Sequence, residues 1–176
     1  MSDASRELVR CFFESQGFLV TGKEPLYVVN SRPAGAEKGR GFVLQKGTVG
    51  GIRRAVVNVR TWHTHQFFPS EISAAPHFFD FVRPKQVEKA RKFFQSSDFC
   101  RVLVLSRLPS GQETRKRALQ MIRKRGIDHV VEFFAVLDGI VGSVRADRSY
   151  TDNDLLETIR LLKSYKFIKE AQLAFF

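Results

Sequence analysis

Arg53-Arg54-Ala55-Val56-Val57-Asn58-Val59-Arg60-Thr61-Trp62 reads as the most convincing strand in the chain. Successive side chains on a strand point to opposite faces. Arg54, Val56, Asn58, Arg60 and Trp62 therefore share one face, and Ala55, Val57, Val59 and Thr61 the other. Before this strand, residues 5–16 carry Leu8, Val9, Phe12 and Phe13 at helical spacing, with Ser2 or Ser5 as cap and Gly17 as stop. Gly17–Gly22 and Pro25–Ser31 read as two further strands. Pro33–Gly41 reads as an exposed loop, Phe42–Gln45 as a strand edge, and Gly47, Gly50 and Gly51 as a turn.

Beyond the strand, the stretch from His63 to Pro84 is expected to be mostly loop with one short helix. Pro84 suits the first turn of a helix reaching Gln95. Cys100–Leu108 is a buried strand in this reading. Ser110 and Glu113 suggest a capping box for a helix to about Lys124, with Gly126 at its end. Asp128–Val136 reads as a strand with a short helix after it, and Thr151 and Asp154 as a cap before a helix over Leu155–Tyr165. Strands alternating with helices predict an α/β fold, a mixed central sheet flanked by helices on both faces.

A chain of 176 residues is expected to form a single domain, 1–176, able to hide about 70% of its unfolded surface. Hydrophobic residues make up 43% of it, which excludes a disordered chain. The formal net charge is +11, and polyanions lead the partners that such an excess attracts. Cys11 and Cys100 sit in apolar settings and read as reduced core residues. The start of the chain lacks a signal-peptide core, and no run approaches the roughly 18 apolar residues of a membrane span. The expectation is a soluble, cytoplasmic protein with no membrane partner. Seventeen phenylalanines include six FF pairs without a constant period, which suits elements packed on two sides.

The order helix, strand, strand, glycine-rich turn, strand ending in Val-x-Val-Arg, then helix and strand resembles the PD-(D/E)xK nuclease superfamily. That is the restriction-endonuclease-like fold. The pieces that carry the resemblance are Glu24-Pro25-Leu26-Tyr27-Val28-Val29-Asn30 and Ala55-Val56-Val57-Asn58-Val59-Arg60. In the superfamily an Asp opens the second core strand, and an acid and a Lys stand two apart on the third. The acids hold a magnesium ion through hard oxygen ligands, and the Lys steadies the nucleophilic water or the phosphate. Here Pro25 stands at the Asp position, Asn58 at the acid and Arg60 at the Lys, so no catalytic set is intact. Glu24 is adjacent, but one step along a strand reverses the face. It substitutes only if the strand begins later or a kink re-aims it.

The resemblance thus implies a degenerate nuclease fold that binds nucleic acid, DNA above RNA, without cutting it and without a cofactor. Candidate phosphate contacts are Arg53, Arg54, Asn58 and Arg60, with Lys116, Arg117, Arg123 and Lys124 grouped on one side of a helical wheel. Arg32, Lys38, Arg40 and Lys46 add a basic loop. His63 and His65 lack the partners of a metal site, so no metal ligand is assigned, and Trp62 is a candidate for stacking on a base. Two alternatives stand beside this reading. One is a magnesium-dependent nuclease whose carboxylates have migrated to Glu24, Glu71 or Asp80; the other is a subunit that holds a protein partner on a Phe-rich surface over Phe67–Phe81.

Overall fold

The computed structural model describes residues 3–30, 42–43, 48–49, 53–61 and 66–168. The predicted loop at Pro33–Gly41, the basic positions Arg32, Lys38, Arg40 and Lys46, the turn glycines, Trp62, His63 and His65 lie outside these residues.

The chain opens with helix α1 (Asp3–Ser15), whose Val9, Phe12 and Phe13 turn inward. Strands β1 (Phe18–Thr21) and β2 (Leu26–Asn30) follow, then a two-stranded pair, β3 (Phe42–Val43) and β4 (Thr48–Val49). Strand β5 (Arg54–Arg60) comes next, shorter at both ends than the sequence suggests. After it stand α2 (Pro69–Ala74), a 3-10 turn over Pro76–Val82, α3 (Pro84–Phe94) and β6 (Cys100–Leu105). The chain continues through α4 (Gln112–Lys124), β7 (His129–Glu132), α5 (Phe133–Ser143) and α6 (Asp154–Ser164).

Five strands form one mixed sheet in the order β1-β2-β5-β6-β7. The first three pair antiparallel, while β5-β6 and β6-β7 are parallel. Each parallel step returns through helices, and β5 at the centre is buried from Ala55 to Val59 because both its faces are covered. On one face Leu26, Val28, Ala55, Val57, Val102 and Val104 pack against α1, α5 and α6. On the other, Val56, Leu103 and Leu105 pack against α2, the 3-10 turn, α3 and α4. The fold is α/β as predicted, a mixed sheet covered on both faces.

Several local expectations are corrected. The stretch before Pro84 holds the one short helix expected, α2, and in addition a 3-10 segment where loop was predicted. The predicted strand Asp128–Val136 stops at Glu132, and its second half begins α5. Phe133, Val136 and Ile140 are buried at i, i+3 and i+7, a helical stripe hidden in an apolar run that reads equally as strand. Helix α4 has Gly111 at its N-cap with no side-chain cap, so Ser110 does not cap it. Asn153, rather than Thr151, caps α6, its Oδ1 accepting from the Leu156 N–H at 3.0 Å. That side chain also reaches Cys11, its Nδ2 donating to Sγ at 3.2 Å. Cys11 and Cys100 are both free thiols, Cys11 buried.

Phenylalanine pairs divide by position. Phe12–Phe13 and Phe78–Phe79 are buried whole, whereas Phe68, Phe93 and Phe134 are exposed beside buried partners. Of the Phe-rich surface expected over Phe67–Phe81, four rings are core and Phe68 alone of the five is exposed. Phe78, Phe79 and Phe81 of the 3-10 turn join Phe67 and the α2 residue Ile72 in the core layer on this face of the sheet.

Candidate nucleic-acid interface

Alternation along β5 sends Val56, Asn58 and Arg60 toward the layer that holds α3 and α4. Asn58 is 1% exposed. Its Nδ2 donates to the Phe78 carbonyl at 3.2 Å, tying the sheet to the 3-10 turn, and its Oδ1 has no partner. An enclosed acceptor without a donor costs about 1–3 kcal/mol. Contrary to the sequence reading, which made Asn58 a phosphate contact, its amide is roofed by the 3-10 turn and bonded to Phe78.

Arg60 emerges at the carboxyl end of β5, its side chain 23% exposed. Its Nη1 donates to Glu24 Oε1, and Arg6 of α1 donates to Glu24 Oε2 at 3.2 Å. Glu24 reaches this place because β2 begins at Leu26, so the residue stands ahead of the strand and outside its alternation. The turn before it is tight. Gly22 has φ +81°, and a Cβ there would lie 2.8 Å from the Pro25 carbonyl oxygen, so a side chain would collide with backbone. Arg10 fastens the same turn to α1, its Nη1 and Nη2 donating to the Val20 and Gly22 carbonyls, each at 2.8 Å. The Nε of Arg60 is enclosed and has no acceptor.

The sheet register places the other acid of this edge at a distance. Arg60 is paired with Leu105, and Leu105 with Glu132. Two strand spacings, about 9.6 Å, therefore separate the Arg60 and Glu132 backbones. Glu132 is 12% exposed and bonded to Arg115 of α4 at 2.5 Å. The remaining proposed acids are engaged locally: Glu71 accepts from the Phe68 N–H at 3.1 Å, and Asp80 pairs with Arg83 at 2.8 Å. Among the described residues no three His, Cys, Asp or Glu side chains come together.

Helix α4 carries the predicted cations as expected from its wheel. Ala118 and Ile122 are wholly buried, while Lys116, Arg117, Arg123 and Lys124 are exposed and make no ion pair with the described residues. Lys116 and Arg123 lie seven residues apart, so the basic strip is about 10 Å long. Arg125 beyond it lies over the Phe79 ring at 5.6 Å. At the foot of α4 burial lowers the His129 pKa, with the Arg123 charge adding to the effect and Asp128 opposing it. Burial also works to raise the Asp128 carboxyl, but hydrogen bonds from the Arg101 side chain and backbone outweigh it and hold that carboxyl low.

The predicted contacts do not converge on one cleft. Arg53 and Arg54 sit at the start of β5 and Arg60 at its end, about 20 Å away along the strand. The cations that do group together belong to one helical layer. Helices α3 and α4 carry nine cations against two acids, Glu88 and Glu113, whereas α1, α5 and α6 together carry four cations against six acids. Lys85, Lys89 and Lys92 of α3 belong to this basic face and escaped the sequence reading. The chain was compared with family models, curated proteins and solved structures, and none matches it.

Proposed function

We propose that this protein binds nucleic acid through the cationic α3–α4 layer and the sheet edge beside Arg60, and does not cut it. The observation that carries this reading is the division of charge between the two helical layers. Like charges crowded on one face repel each other unless an anion lies across them, and a phosphate backbone is such an anion. The described cations of α4 that point outward have no acids to neutralise them.

The strand order supports a restriction-endonuclease-like architecture. A leading helix, the strands β1 and β2, the strand β5 and then helices and β6 follow the element order on which the resemblance rests. The residues beside Arg60 do not fit the magnesium ion of active members. Magnesium wants one or more free carboxylates with phosphate and water oxygens. Among the described residues the acid beside Arg60 is Glu24, already between two guanidiniums, while Asn58 is enclosed and Glu132 stands two strands away, paired with Arg115. DNA is the partner we favour, in a reducing cytoplasm that suits two free thiols.

Two assays on one preparation test the proposal. With supercoiled plasmid and millimolar Mg²⁺ or Mn²⁺, no nicked product accumulates. With labelled duplex DNA, log affinity falls against log salt with a slope near −4.5, the value for about five phosphates. EDTA-sensitive nicking overturns the non-cutting part, and a slope near zero overturns the binding part.

A further inference from the structure

Two arginines converge on one carboxylate, Glu24, near the turn that leads into β2. Arg6 and Arg60 both donate to Glu24, from α1 and from the end of β5 respectively. Arg10 holds the turn itself. Glu24 is 37% exposed and lies before the strand, so no ladder hydrogen bond fixes its place. The contact from Arg60 is one-point: Nη1 is engaged, while the enclosed Nε has no acceptor. A guanidinium fork is satisfied by an anion that takes two parallel N–H groups, as a phosphate does.

We propose that Glu24 is an internal stand-in for a phosphodiester: it occupies a two-arginine oxyanion site, Arg6 with Arg60, from which a nucleic-acid phosphate displaces it. The inference rests on the proposed nucleic-acid binding and deepens it, since it assigns Glu24 the role of a competing anion that weakens and tunes affinity. An exposed ion pair holds its partners weakly in water, so the exchange is within reach of an incoming phosphate. The phosphate then gains both guanidiniums, and the displaced carboxylate returns to solvent.

The test compares wild type with Glu24→Gln, Arg60→Gln and the double variant, using a fluorescent DNA duplex at fixed salt. Glutamine keeps the size of Glu24 and removes its charge. Glu24→Gln is expected to tighten binding by about three- to tenfold, and Arg60→Gln to weaken it by a similar factor. In the double variant, removal of the carboxylate brings no gain. Binding that is unchanged or weaker in Glu24→Gln overturns the proposal, as does an undiminished gain without Arg60. Should wild type bind no duplex, the functional reading fails, and titration with inorganic pyrophosphate judges the site alone. A saturable shift of the Arg60 Nε–H resonance, at lower concentration in Glu24→Gln, sustains the two-arginine site; no shift in either protein overturns it.

Discussion

Asn58 and Arg60 share a face of β5 two residues apart, yet their surroundings differ because the 3-10 turn covers one and stops short of the other. That difference has a measurable consequence. Asn58→Asp removes the donor to the Phe78 carbonyl and sets a carboxylate against that oxygen in an enclosed place. We expect it to cost about 3 kcal/mol or more in urea denaturation near pH 8. The cost shrinks near pH 4, where the acid is protonated and can donate to Phe78. The folded pKa is raised, so the folded state binds more protons and stability falls as pH rises. Equal stability to wild type at both pH values would mean that Asn58 is open to water. Alternation alone put Asn58 and Arg60 on one face correctly. For Glu24 alternation decides only if the strand includes it, and β2 begins later, at Leu26. Where β2 begins depends on the Gly22 turn and its Arg10 clasp, long-range features that a period cannot express.

Helix α5 is the element that the sequence hid best. Its first residues continue an apolar run from β7, and burial at Phe133, Val136 and Ile140 emerges only when α1 lies across it. Gly139 marks the crossing: a Cβ there would stand 2.5 Å from Cε2 and 2.9 Å from Cδ2 of Phe12, a ring 3% exposed and edge-on to Phe13. Alanine is the better helix former by about 1 kcal/mol in an exposed helix. Here the steric term wins, because the buried ring has nowhere to turn, and Gly139→Ala should destabilise by about 1–3 kcal/mol in thermal or urea unfolding. A stabilised variant would show that α1 and α5 are not in close contact. The strands of the central sheet were far easier to read, since β5 and β6 are short, β-branched and apolar.

At the scale of the whole molecule, composition disclosed the excess of cations but not their placement. Which helices share a layer follows from the crossovers β5 to β6 and β6 to β7, both of which bring their helices to the same face. A chain-long count cannot separate α3 and α4 from α1, α5 and α6. Once separated, the first pair is strongly basic and the other three slightly acidic. The central claim is that this basic layer meets phosphates, and the salt dependence of DNA binding tests it most directly. Each lost phosphate contact should flatten the slope of log affinity against log salt by about 0.9. Replacing Lys116, Arg117, Arg123 and Lys124 together by glutamine should bring it from about −4.5 to about −1 with the fold intact by circular dichroism. A slope as steep as that of wild type would contradict the account.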